Sequence, residues 1–238
     1  MTNRKHKPLP YSQEILRFLQ DLHVDAKLPD GVRVMNPYTN PQTFRLVKAF
    51  YEKFYHDRFK RIMILGINPG RLGAGETGIP FTDNKHLKSH CGIEWPDKPT
   101  HETSSVFMYD MMDAFGGVDL FYKQFYITSV SPLGFTVRKN SKEVNYNYYD
   151  SNELQAIIEP LATQWLMQQL KFGIRRDVAF VLGTGKNAKF MCALNERLRL
   201  FDRIITLEHP RYIMQYKLKS KDEYVNKFVQ ALSAEVTE

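Results

Sequence analysis

Apolar residues along this chain follow two rhythms that alternate, helical spacing and short unbroken runs. Ile15, Leu16, Phe18, Leu19 and Leu22 recur every three or four positions, which predicts an amphipathic helix over 11–24. A turn-rich stretch follows, with Pro29-Asp30-Gly31 and Met35-Asn36-Pro37-Tyr38. A second helix, 41–55, then starts at Asn40-Pro41, a pairing that suits a helix N-terminus. Four unbroken apolar runs, 61–66, 125–130, 178–182 and 203–207, read as buried strands. Helical patterns occupy 107–115, 152–172, 187–198 and 222–234, the second interrupted early by Pro160 and closed by Gly173. Strands separated by helices predict a four-stranded parallel sheet inside a three-layer α/β/α sandwich.

Two segments break the rhythm. Residues 70–104 are rich in Gly, Pro, His and Thr without a sustained period, which predicts a long functional loop. Ser131-Pro132-Leu133-Gly134 ends the second strand, and 138–150 is a polar, tyrosine-bearing excursion. The chain has no internal repeat and no low-complexity stretch.

Composition narrows the class. At 238 residues and 43% hydrophobic, the chain can bury one sizeable core, so 11–238 is expected to form one domain behind a basic tail at 1–10. Two cysteines, Cys91 and Cys192, are too few for a four-cysteine zinc or iron–sulfur site and favour a reducing compartment. The basic tail is followed by no apolar signal core, and no run of about 18 apolar residues occurs. A soluble, cytoplasmic protein with no membrane partner is expected. Lys and Arg exceed Asp and Glu by 33 − 26 = 7, which favours a polyanionic partner through phosphate contacts.

The richest chemistry lies where the 61–66 run ends. Gly66-Ile67-Asn68-Pro69-Gly70 delivers one side-chain amide and several backbone N–H groups to the carboxyl end of a strand, where open α/β sheets bind ligands. Pro69 stiffens that turn and Gly70 leaves space above it. Such a pocket suits a flat, polar ligand such as a nucleobase. Taken singly, Asn68 reads as a turn residue, Phe81 as core and His209 as the cap of a strand end. Their joint placement in an α/β pattern carries the functional reading.

Together these residues resemble the uracil-DNA glycosylase superfamily, most closely its single-strand-selective monofunctional type. Gly66-Ile67-Asn68-Pro69-Gly70, then Gly73, then Thr77-Gly78-Ile79-Pro80-Phe81 is similar to the family's first motif, with Phe81 at 81 − 68 = 13 residues beyond Asn68. His209-Pro210 after the last strand is similar to its second motif, and Met35-Asn36-Pro37-Tyr38 to an Asn-Pro segment near its start. The likeness spans roughly 33–238.

The resemblance implies hydrolysis of the N-glycosidic bond of uracil in single-stranded and double-stranded DNA. It implies a monomer that leaves an abasic site without cofactor or metal. Asn68 and His209 would be catalytic, Asn68 holding the attacking water and His209 donating a hydrogen bond to the base. Phe81 would stack on the base, while the Ile67 and Gly70 N–H groups would supply further donors. An amide is no strong base, so the bond would lengthen before a weakly activated water captures the sugar. No nucleophilic lysine is recognisable, and strand cleavage is not expected.

Two departures from the family pattern matter. Ser129 stands where related enzymes commonly carry a base-reading asparagine, and a hydroxyl cannot offer an amide's paired donor and acceptor. Weaker discrimination is expected, with tolerance of xanthine or hypoxanthine. After His209-Pro210 the second proline stretch is missing, so Arg211, Tyr212 and Ile213 are all candidates for a wedge on a loop, with Lys217 near phosphates. Thr184, Gly185 and Lys186 open a helix and are candidate phosphate donors.

Rival readings are weaker. Gly183-Thr184-Gly185-Lys186-Asn187-Ala188 also fits a dinucleotide fingerprint, but on the third strand and with Glu208, at 208 − 183 = 25, the nearest acid. It is no P-loop, since Phe180 and Asn187 occupy key positions. His86, His90, Cys91 and His101 match no strong zinc spacing. A non-catalytic module that binds damaged DNA is the alternative of a different class.

Overall fold

The computed structural model describes residues 9–95 and 100–236. The expected tail therefore falls, apart from Leu9 and Pro10, outside the described residues. The described strands are β1 (Val32–Met35), β2 (Arg61–Gly66), β3 (Phe125–Ser129), β4 (Gly134–Lys139), β5 (Lys142–Tyr146), β6 (Ile174–Leu182) and β7 (Arg203–Leu207). The helices are α1 (Tyr11–Gln20), α2 (Pro41–Phe54), α3 (Ala74–Thr77), α4 (Asn84–Ser89), α5 (Thr103–Phe115), α6 (Val118–Gln124), α7 (Asn152–Leu170), α8 (Lys186–Leu198), α9 (Pro210–Tyr216) and α10 (Lys221–Ser233).

The four apolar runs form the expected parallel sheet, ordered β3-β2-β6-β7 and flanked by helices in an α/β/α sandwich. All of β2 and β3 is buried, as unbroken apolar runs require in a sheet covered on both faces. The chain turns from β2 to β3 on one side and reaches β6 on the other, so a topological switch point lies between the carboxyl ends of β2 and β6. Register levels those ends, with Gly66 opposite Ser129 and Leu182 opposite Leu207.

At the amino end of β2, Arg61 is fully buried. Its guanidinium pairs with Asp57 at 2.8 Å and donates to the carbonyls of Tyr122, Phe54 and Phe59. The rings of Tyr11 and Tyr55 lie 5.0 and 4.6 Å from it. Burial acts to raise the Asp57 pKa, yet the Arg61 and Phe59 donors hold its carboxyl below the usual range. This buried cation is paired and bonded, which is the condition for tolerating it.

Several segments differ from the sequence-based expectation. The turn-rich stretch holds β1, and the segment from Gly134 through the polar excursion holds β4 and β5, which together form an antiparallel sheet ordered β1-β4-β5. Asn140 and Ser141 join β4 to β5 with φ of 46° and 62°, the positive values that two-residue hairpin turns demand. Because β5 is mostly exposed, hydrophobic alternation never marked it. The 70–104 loop holds α3 and α4, and α5 begins at Thr103 rather than at 107. Helix α6 runs straight into β3 without a turn signal, and α7 continues through Pro160. The stretch after His209, expected as a loop, is α9.

Candidate active site

The turn after β2 is tied to the rest of the sheet through its carbonyls. Val130 and Ser131 donate their N–H groups to the Gly66 and Ile67 carbonyls. A Cβ on Gly66 would lie 3.0 Å from the Phe81 ring and 3.2 Å from Ser129 Oγ, so a larger residue there would push the ring back from the end of β2 by a few tenths of an ångström. Phe81 has a φ of 53°, a left-handed backbone that costs about 1–2 kcal/mol for a residue with a Cβ. Its loop is braced by Thr77 Oγ1 donating to the Thr82 carbonyl at 2.6 Å and by Thr82 Oγ1 at 3.0 Å from the Tyr109 hydroxyl. Strain held by surrounding bonds is common where a side chain must face a ligand.

The Asn68 amide is oriented by its own turn together with the end of β5 and the residues just after it. Nδ2 donates to the carbonyls of Pro69 at 3.2 Å and Tyr146 at 3.3 Å, and Oδ1 accepts the Tyr148 N–H at 3.1 Å. An amide oxygen has two lone pairs, so Oδ1 can still accept from a water.

His209 caps α9, its Nδ1 accepting the Arg211 N–H at 3.2 Å. Burial, then the nearby Arg211 charge, pushes its pKa down to about 4. The imidazole is therefore neutral near pH 7, and with Nδ1 an acceptor its proton sits on Nε2. The His209 and Phe81 rings are 5.7 Å apart.

These side chains line one cavity of about 340 Å³, the size of a small-ligand site, at the carboxyl ends of β2, β3 and β7. Glu102, the residue before α5, also lines it. Burial pushes the Glu102 carboxyl up to about 7, with Asp83 adding to the shift while Ser105 and Arg211 oppose it.

Residues 53–233 match the family model of the uracil DNA glycosylase superfamily. The fold matches the crystal structure of wild-type Pedobacter heparinus SMUG2 with a TM-score of 0.93 and 48% identity, over 95% of this chain and 98% of that one. The chain belongs to the uracil DNA glycosylase superfamily. It is a DNA glycosylase of the SMUG-like type, an enzyme of DNA repair.

In this glycosylase the structure brings Ile67, Asn68, Gly70, Phe81, Ser129, His209, Arg211 and Tyr212 to the one cavity. Thr184, Gly185 and Lys186 line a smaller depression next to it, shared with Ile67, His209 and Tyr212, at the N-terminus of α8. Lys217 is exposed just past α9 and outside the cavity wall. Ile213 is a correction: on a helix it faces inward and is fully buried, so it cannot enter a base stack. Tyr216 instead stands 72% exposed, one helical turn from Tyr212, with ring centroids 5.5 Å apart.

Sequence reasoning missed Glu102, Asn145, Asn147, Tyr149, Gln215 and Tyr216. Nothing local marks the hairpin residues, because their partners in the 66–71 turn lie more than seventy positions away. Asn187 of the rival dinucleotide fingerprint is buried, donating to the Leu182 carbonyl at 2.9 Å and accepting from the Tyr148 hydroxyl at 2.9 Å. His86 lies 2.6 Å from Asp83, and the Cys91 thiol, pushed up to about 11 by burial, packs against the Tyr109 hydroxyl. Among the described residues no group of three His, Cys, Asp or Glu is placed to hold a metal, and no helix is long and apolar enough to cross a membrane.

Proposed function

We propose that this glycosylase removes uracil from DNA by monofunctional hydrolysis, leaving an abasic site. One observation carries the reading: Asn68, Phe81, Ser129 and His209 converge on one cavity from four separate segments. The extruded base stacks on Phe81, with the Ile67 and Gly70 N–H groups as further donors. As the glycosidic bond breaks, its electron pair stays with the base, and negative charge grows on the base oxygen facing His209. A neutral imidazole with its proton on Nε2 donates there without reorganising, a contribution typically worth about 10²–10³ in rate. Water held by Asn68 Oδ1 adds to the anomeric carbon and loses its proton to solvent.

Ser129 leaves the deep end of the pocket with a small hydroxyl, which supports excision of xanthine and hypoxanthine as well. Thr184, Gly185 and Lys186 meet a backbone phosphate beside the flipped nucleotide, and Lys217 a more distant one. Arg211, Tyr212 and the exposed Tyr216 fill the gap in the stack. The enzyme acts as a monomer in this reading. Extrusion costs least from single strands and mismatches, so both single- and double-stranded DNA serve.

The test is incubation, in chelator, of single-stranded DNA carrying one uracil, followed by alkali. Alkali-dependent breakage at that position, lost in Asn68→Ala with DNA binding retained, is the expected result. Breakage that persists in the variant, or that needs no alkali, would overturn the mechanism.

A further inference from the structure

One wall of the cavity is not used by the reaction as described. A Cβ on Gly73 would collide with Glu102 Oε2 at 1.9 Å, so the bare backbone there makes room for this carboxyl. Ser105 Oγ donates to Oε2 at 3.3 Å, and the Glu102 N–H donates to Asp83 Oδ2 at 2.9 Å. Oε1 is left over Gly70, 3.5 Å from where its Cβ would be. From the other side comes Asn145 of β5. Its Oδ1 accepts the Arg71 N–H at 2.9 Å, which fixes the amide flip and leaves Nδ2 3.3 Å from the same point above Gly70.

In the binding mode proposed above, the glycosidic bond lies beside Asn68, one neighbouring edge faces His209 and the Ile67 and Gly70 N–H groups, and the far edge faces Ser129. The remaining edge then faces the wall that Glu102 and Asn145 form. In uracil that edge carries only C–H groups, whereas in a purine it carries N7, a hydrogen-bond acceptor. We propose that Glu102 and Asn145 form a specificity pair that recognises N7, the acceptor every purine shares, so hypoxanthine and xanthine gain a contact that uracil does not make. This rests on the glycosylase reading above and names what the wall over Gly70 adds to it.

Asn145 Nδ2 is a donor in every state, but Glu102 donates only when protonated. Burial keeps it so up to about pH 7. The charged groups facing it are Asp83 from the start of α4, itself bonded to His86, and Arg211 from α9; β5 contributes the neutral Asn145. Deprotonation therefore removes a donor from the purine edge and leaves the uracil edge without a lost bond.

The experiment compares excision of hypoxanthine and of uracil from otherwise identical single strands by the full-length wild type, Glu102→Ala and Glu102→Gln between pH 6 and pH 9. Glu102→Ala should lower hypoxanthine excision by roughly 10- to 100-fold more than it lowers uracil excision, the scale of one buried hydrogen bond. In the wild type the hypoxanthine-to-uracil ratio should fall as pH rises above about 7. Glu102→Gln keeps a donor that does not ionise, so it should restore hypoxanthine excision and flatten that profile. Equal losses on both bases in Glu102→Ala, or uracil excision with no hypoxanthine excision by the wild type, would overturn the specificity pair alone. Absence of uracil excision by the wild type would overturn the glycosylase reading with it.

Discussion

Strand β2 has two ends built on opposite principles. At its amino end Arg61 is sealed between two tyrosine rings, with a carboxylate and three carbonyls as partners. At its carboxyl end, a few residues on, Asn68 has an oxygen lone pair to spare, Phe81 holds a left-handed backbone and His209 is kept uncharged. The first end gives its buried cation a full set of partners and serves stability. The second leaves polar groups short of partners and keeps a strained residue, because a substrate must supply what is missing. Binding sites at the carboxyl edge of a parallel sheet follow from this asymmetry, since loops meet there and no helix need cover them.

The contrast can be broken by mutation. Arg61→Met leaves Asp57 without its partner at the packed end and should cost roughly 3–5 kcal/mol of stability, read by denaturant unfolding. Excision per folded molecule should stay unchanged, and a selective loss of activity would contradict the division of labour. His209→Ala should do the reverse, lowering the excision rate by about 10²–10³. Its stability cost should stay within the roughly 0.5–2 kcal/mol of a lost helix cap.

His209 also sets a pH prediction. Its pKa is lowered in the fold, so its contribution to stability is present above the ordinary histidine value and is lost as pH falls through about 4. An NMR titration should place the His209 ring near that value, and an ordinary histidine midpoint would mean the imidazole is charged in the acid range. A smaller effect is expected at the pocket floor. Ser129→Asn should cut hypoxanthine excision by roughly 10-fold through overpacking while sparing uracil, and an equal loss on both would refute a steric role. The smallest change belongs to the rim: Lys186→Ala should reduce the salt dependence of single-strand binding by about 0.7 in the log–log slope. An unchanged slope would remove Lys186 from the phosphate contacts.

Much of this enzyme could be read from local pattern. The four apolar runs are the four strands; β2 and β3 are apolar because both their faces are buried, whereas β7, at the sheet edge and expected to be buried, is largely part-exposed. The Gly66–Gly70 turn and His209-Pro210 stand at strand ends, where position along the chain already puts them at the sheet's carboxyl edge, whereas Phe81 is carried there by the loop between α3 and α4. The wedge segment shows the limit: Ile213 reads as available until α9 turns it inward, and Tyr216 becomes the exposed ring only because a helix repeats near every fourth residue. Glu102 is an acid in a loop-like stretch until Gly73 and Gly70 are seen beneath it.

The sequence by itself determined the parallel sheet and the motif that ends its central strand, because hydrophobic period and turn chemistry act over a few neighbouring residues. Only the tertiary structure decided how the site is held and what else lines it. The Asn68 amide takes its orientation from the Tyr146 carbonyl and the Tyr148 N–H, and the wall over Gly70 comes from Glu102 and Asn145. Those contacts join residues tens of positions apart, and a hydrogen bond across such a span leaves no periodic trace in either segment.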